Sequence, residues 1–220
     1  MTKFWTLMGA TVSLTLVVAG PAQAEDLVSD AYGVSVQSDL VYGHGIVDAG
    51  SAKPHPRDLK FDLYRPLANG KPVEARPAVV LAFGGAFHRG TKGTARFEED
   101  GASDSAMGDY CRAFAAAGYV CLSIEYRLVP EDPALPVGLV SANLFPKAML
   151  KDPIATARIN VVRGRMGLPL LDDASREQLW NTVFAASEDL ATAVQFARGH
   201  SGQLGIDPDR IVIGGFSAGG

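Results

Sequence analysis

One serine, set among glycines, is the centre of the reactive groups in this sequence. Gly215-Phe216-Ser217-Ala218-Gly219 carries the pattern Gly-x-Ser-x-Gly directly after Arg210-Ile211-Val212-Ile213, a short β-branched run that reads as a buried strand. A strand that feeds straight into glycines around one serine demands a tight turn with small flanking residues. Such a turn projects the serine at the end of a sheet as a nucleophile. A serine that attacks an acyl carbonyl generates an oxyanion, and backbone N–H donors aimed at that oxygen are each worth about 10²- to 10³-fold in rate. Gly84-Gly85-Ala86 follows a second apolar run, Pro77 to Phe83, and its glycines let backbone come close to such an oxygen. Ala218, next to the serine, offers a further N–H where a following helix begins. Gly84-Gly85 alone also fits a plain strand-to-loop turn; the pairing with Ser217 is what gives it a task.

Three elements must position these groups. Pro77-Ala78-Val79-Val80-Leu81-Ala82-Phe83 is almost uninterrupted apolar sequence, as a strand buried on both faces requires, and Tyr119 to Tyr126 is a second such run. Amphipathic stretches separate them: Asp109 to Ala117, and a longer one opened by Asp172 or Asp173 with Ser175-Arg176-Glu177-Gln178 as a capping box. The longer stretch lines one face with Leu179, Val183, Ala186, Leu190, Ala193, Val194 and Ala197 and closes near Gly199 or Gly202, which marks a core helix. Strand, helix, strand, helix, strand predicts right-handed crossovers and a parallel sheet with helices on both faces, with its site at the carboxyl ends of the strands. Ahead of this lie short edge-strand pieces, Val34-Ser35-Val36 and Leu40-Val41-Tyr42. A half-buried antiparallel strand, Leu59 to Pro66, follows and turns at Ala68-Asn69-Gly70-Lys71-Pro72.

The chain resembles the α/β-hydrolase superfamily, in particular the carboxylesterases and hormone-sensitive-lipase-like esterases. The likeness is carried by Phe83-Gly84-Gly85-Ala86-Phe87, by Glu125-Tyr126-Arg127-Leu128-Val129-Pro130-Glu131 and by Asp207 to Gly220, and it runs from about Leu59 to the end. It implies an α/β-hydrolase fold, mainly parallel with antiparallel N-terminal strands, and a serine esterase working through an acyl-enzyme without cofactor or metal. It also implies Ser217 as nucleophile and the N–H groups of Gly85, Ala86 and Ala218 as oxyanion hole, with Tyr126 and Arg127 in a structural motif. Two departures bear on the loop: Phe83 stands where the family has His, which should alter loop anchoring, and Ala86 replaces a third glycine, narrowing the space beside the acyl carbon. A third departure is length, because Leu135 to about Asp172 is an insertion, read as a lid or pocket wall.

The proton acceptor is the gap. In this fold the chain order is Ser, then Asp or Glu, then His. The four histidines, His44, His55, His88 and His200, all precede Ser217. His88 is read as shaping the pocket and the others as surface or loop residues. The triad acid and imidazole are therefore expected after Gly220, with the C-terminal part of the fold missing from this sequence. Residues 25 to 220 alone are expected to aggregate and to show no turnover. A non-catalytic binding module, and a peptidase or amidase of the same fold, are the alternatives.

Composition bounds the rest. The 220 residues carry 20 basic and 24 acidic side chains, a formal charge of −4, and 47% hydrophobic residues, values typical of a globular domain. With no basic cluster, nucleic acid and anionic membrane are not expected partners; a small-molecule or polymer-linked ester is. Lys3, the apolar run Phe4 to Val18 and the ending Ala22-Gln23-Ala24 read as a cleaved export signal over residues 1 to 24, giving a secreted or periplasmic product without a stable membrane anchor. Export permits a disulfide between Cys111 and Cys121. A helix lying on a sheet usually keeps facing Cα atoms beyond the roughly 4.4–6.8 Å that a disulfide prefers, so two buried free thiols are expected.

Overall fold

The computed structural model describes residues 31–96, 98–99, 102–103, 106–135 and 147–220. The export segment expected over residues 1–24 lies outside them, as does the 136–146 part of the insertion. Among the described residues, eight strands are formed: β1 (Gly33–Val47), β2 (His55–Ala68), β3 (Lys71–Pro72), β4 (Arg76–Ala82), β5 (Glu98–Glu99), β6 (Ala102–Ser103), β7 (Val120–Ile124) and β8 (Ile206–Gly215). The helices are α1 (Met107–Ala116), α2 (Pro153–Arg165), α3 (Asp173–Gly199) and α4 (Ser201–Leu204).

The main sheet runs β1-β2-β7-β4-β8, with β3 beside β2 and a separate β5-β6 ribbon. It is mixed. β7, β4 and β8 pair in parallel, while β1 with β2, β2 with β3 and β2 with β7 pair antiparallel. The expected mainly parallel sheet thus holds for three strands, because the N-terminal hairpin is far longer than its short alternating pieces suggested. The two pieces at Val34 and Leu40 belong to one strand, interrupted by register shifts between Gln37 and Leu40 and between Val41 and Gly43. β2 likewise runs through Pro66 to Ala68 and is buried on both faces from Phe61 to Tyr64, where a half-buried strand was expected. Covered faces explain this, since Phe61 and Leu63 join one core and Tyr64 another. Asp62 can be buried between them because Lys92 Nζ donates to it at 2.6 Å.

Each face of β4 and β7 has its own helix, whereas β8, read from its sequence as a buried strand, leaves Val212 and Ile213 exposed among the described residues. Ala78, Val80, Ala82, Val120, Leu122 and Ile124 pack with Ala186, Ala193 and Ala197 of α3, whereas Val79, Leu81 and Cys121 pack with Cys111 and Ala115 of α1. This is the alternation that a strand buried on both faces requires. Helix α3 starts where its sequence places it: the Asp172 carboxylate accepts from the Ser175 N–H at 2.8 Å, and the Asp172 N–H donates to Ser175 Oγ at 2.9 Å. Its buried face also takes in Trp180, Phe184 and Asp189. Asp189 receives the Arg127 backbone N–H at 2.8 Å and Nη2 at 2.8 Å, and burial raises its pKa against the pull of Arg127. Tyr126 and Arg127 therefore act structurally, as the resemblance implied.

The free-thiol expectation is corrected. Cys111 and Cys121 form a disulfide with Cα atoms 5.2 Å apart. Around Cys111 the inward face of α1 carries Gly108, Ala115 and Ala116, small side chains that let Cys111 come this close to the strand.

Candidate active site

β4 and β8 are hydrogen-bonded parallel neighbours, with Ala82 opposite Gly215. That single register places the two glycine-rich segments side by side at the carboxyl ends of adjacent strands. Both then turn sharply. Ser217 has φ of 54°, a left-handed conformation that costs a non-glycine residue about 1–3 kcal/mol. It lies in a 3₁₀ turn, Ser217–Gly219. The glycines flanking the elbow are required by close approach: a methyl group on Gly215 would collide with the Gly219 carbonyl, and one on Gly219 with the Ala82 carbonyl.

On the opposing side, Gly85, Ala86 and Phe87 are three successive residues with positive φ, at 130°, 55° and 61°. The His88 N–H donates to the Gly85 carbonyl at 3.0 Å across this turn, a type I′ geometry for which Ala86 and Phe87 are unfavourable residues. The two segments meet at Gly84. A methyl group there would stand 2.7 Å from the Phe216 carbonyl oxygen and 3.3 Å from Cβ of Ser217, so only glycine lets the turn reach the serine. Within the described residues, the N–H groups of Gly85 and Ala86 take no part in the backbone hydrogen bonds of this turn.

Several anchors hold the turn. Tyr126 donates its hydroxyl to the Phe83 carbonyl at 2.6 Å and stacks on the Phe83 ring at 4.4 Å, and burial pushes its pKa up. Phe83 is thus held by an aromatic partner. The Phe87 carbonyl accepts from the Val129 N–H at 2.7 Å. Lys92 closes the segment, its Nζ bonded to Asp62 and, at 2.9 Å, to Asp39, and its carbonyl bonded to Ser123 Oγ at 2.7 Å. Burial would lower the Lys92 pKa, but the two carboxylates outweigh it and the net shift is upward.

A cavity of about 360 Å³ opens between turn and elbow. Its lining includes Gly84, Gly85, Ala86, Phe216 and Ser217, together with Met107 and Tyr110 from α1 and Arg158 and Val162 from α2. The structure thereby brings together three of the four residues read as nucleophile and oxyanion donors, with Ala218 directly after Ser217 in the 3₁₀ turn. It also puts part of the insertion against the same cavity. Tyr110 stacks near Phe216, ring centroids 4.6 Å apart. Met107 and Tyr110 carry no motif; the signal that could have found them is topological, because a helix returning from β4 starts at the carboxyl edge.

None of the four histidines lines the cavity. His44 sits 3.0 Å from Asp58, His55 3.4 Å from Asp48, and His200 stacks on Phe196 at 4.0 Å. His88 is buried, its Nδ1 2.7 Å from the Ala86 carbonyl oxygen and its Nε2 3.0 Å from Arg163 Nη1. Burial lowers its pKa, the carbonyl bond opposes this, and the Arg163 charge lowers it again. With both ring nitrogens engaged, it is no proton acceptor for Ser217. Among the described residues, no group of three His, Cys, Asp or Glu could hold a metal, and no helix is long and apolar enough to cross a membrane.

No protein-family profile and no curated protein sequence matches the chain. Solved structures similar to it include a thermophilic esterase from the Planctomycetes species Thermogutta terrifontis, at 22% identity over 86% of this chain and 41% of that one, with a TM-score of 0.42. The Thermogutta terrifontis esterase 2 phosphorylated by paraoxon is similar at 23% identity over 85% and 44%, with a TM-score of 0.45. The chain thus spans about two fifths of the length of these proteins.

What can be said of this chain follows from its own geometry. It is an α/β fold in which a strained serine and a strained glycine-rich turn share one cavity. The residue least visible in the sequence is Arg163, buried yet embedded in an insertion without any motif.

Proposed function

We propose that this chain carries the nucleophile and the oxyanion-binding half of an exported α/β-hydrolase that cleaves carboxylic esters through an acyl-enzyme on Ser217. The observation that carries the reading is the approach of the Gly84–Ala86 turn to Ser217, so close that Gly84 tolerates no side chain. In the reaction, an imidazole takes the Ser217 hydroxyl proton as Oγ attacks the ester carbonyl, and the N–H groups of Gly85, Ala86 and Ala218 hold the developing oxyanion. The same proton passes to the leaving alkoxide as the C–O bond breaks, and water then hydrolyses the acyl-enzyme to acid and free serine. The insertion acts as a wall of the acyl pocket, with Val162 and Arg158 at the cavity. The methyl of Ala86, which also lines it, favours a slim acyl group beside the reacting carbon. The substrate class is a small-molecule or polymer-linked ester.

The reading requires an imidazole and an orienting carboxylate, and none of the four histidines, which all lie outside the cavity lining, supplies the imidazole. A second reading has its own support in a cavity lining that contains none of the four histidines: a binding module of the same fold with no turnover. Hydrolysis of a short-chain aryl ester by the natural protein, lost in Ser217→Ala, separates the two; a natural protein with no turnover, and no downstream acid and histidine, overturns the esterase reading. Comparing aryl esters with matched anilides separates esterase from amidase.

A further inference from the structure

We propose that Arg163 is a positioning residue for the oxyanion turn, acting through His88, so that docking of the insertion helix α2 sets the conformation of Ala86. The inference rests on the esterase reading for its consequence in catalysis, but its structural content stands separately.

His88 holds the peptides on both sides of Ala86. Its backbone N–H donates to the Gly85 carbonyl, and its ring reaches the Ala86 carbonyl at 2.7 Å. Fixing the Gly85 carbonyl fixes the direction of the Ala86 N–H, which lies opposite in the same planar peptide. Fixing the next carbonyl as well determines both backbone dihedrals of Ala86, which is held at φ 55° against its own preference.

The ring bond depends on the tautomer. A carbonyl only accepts, so Nδ1 must carry the proton. In a neutral imidazole that leaves a lone pair on Nε2, and the Nε2 partner must be a donor. Arg163 meets the need absolutely, because a guanidinium has donors only and does not lose its charge. Its Nη1 stands 3.0 Å from Nε2. Arg163 is itself fixed within the insertion: Nε donates to the Pro169 carbonyl at 2.8 Å, and the Leu168 N–H returns to the Arg163 carbonyl at 2.9 Å. Both His88 and Arg163 are buried, at 2% and 5% exposure, so water does not readily replace either partner. Without Arg163, the ring is free to move its proton to Nε2 and to present a lone pair to the Ala86 carbonyl, which releases the turn.

The test has two arms. In the natural protein labelled with ¹⁵N-histidine, the His88 nitrogens should report a neutral ring protonated at Nδ1. Arg163→Met should convert it to a mixture or to the Nε2-protonated form, while Arg163→Lys, which keeps one charged donor, should restore the Nδ1 tautomer. In ester hydrolysis, Arg163→Met should lower kcat by about 10²-fold with KM within about twofold, the size of effect a displaced oxyanion donor gives. Arg163→Lys should recover to within about tenfold of the natural protein. An Nε2-protonated His88 in the natural protein overturns the proposal, as does a folded Arg163→Met variant with unchanged tautomer and kcat. Should Arg163→Met fail to fold, the tautomer of the natural protein and the Arg163→Lys result decide. A natural protein without Ser217-dependent hydrolysis would sink the esterase reading and leave the tautomer arm to judge the positioning role.

Discussion

The two sides of the candidate site are held in opposite ways. The Gly84–Gly90 turn is tied by Tyr126, Val129, His88 and Arg163, and Lys92 anchors the segment that follows, with partners that are mostly buried. The elbow sits at the end of β8, which pairs with β4 along one edge and carries large apolar side chains in the open: Val212 is 59% exposed, Ile213 57% and Phe216 42%. Val212 and Ile213 are successive strand residues and point to opposite faces, so neither face of β8 is covered there among the described residues. The lesson is that left-handed backbone needs support. On the turn, support comes from side chains far away in sequence; on the elbow, it comes from the glycines themselves, packed against the backbone of β4.

The comparison can be broken most strongly on the tied side. Asp189→Ala leaves the buried Arg127 with the half-exposed Glu188 as its remaining carboxylate and should cost about 3 kcal/mol in denaturant unfolding, because a buried charge loses its buried partner. Less severe is Cys111→Ala with Cys121→Ala, which opens a link between residues 10 apart and should cost about 2–3 kcal/mol by the same measurement. Gly84→Ala drives a methyl group into the Phe216 carbonyl and should cost about 1–3 kcal/mol through overpacking, with a fall in kcat as turn and serine separate. Acidification should act on the turn more gently. His88 is held neutral in the fold, so below its ordinary pKa of 6.5 the unfolded chain binds the proton more readily. Stability from this group is fully present above that value and is lost as pH falls through the lowered folded one. Urea midpoints measured against pH should show a loss that His88→Asn removes. On the open side, Val212→Thr and Ile213→Thr in residues 25–220 should change unfolding by no more than about 0.5 kcal/mol while reducing self-association in light scattering. A larger cost in the natural protein would show that these side chains are covered there.

Much of the site was legible because its chemistry depends on backbone. Glycine is the sequence's record of close approach, and the Ser217 and Gly84-Gly85 clusters told of two strands ending together. Apolar runs at Pro77 and Tyr119 marked strands covered on both faces for the same reason. The disulfide was misread because helix-to-sheet distance depends on the side chains between them, here Gly108 and Ala115, and spacing along the chain does not carry that. The hairpin was misread because Asp62 gives the run the alternation of a half-buried strand and Pro66 looks like its end until Lys92 and the neighbouring strands are in place. His88 was read as shaping the pocket; its bond to Arg163 joins residues 75 positions apart and leaves no local pattern.

The acyl-enzyme proposed on Ser217 is open to direct view in the mass of the natural protein quenched during turnover of a short-chain aryl ester. One added acyl group per chain should map to Ser217 and be absent, together with turnover, in Ser217→Ala. Hydrolysis that persists in Ser217→Ala, or an acyl group carried elsewhere, would contradict it.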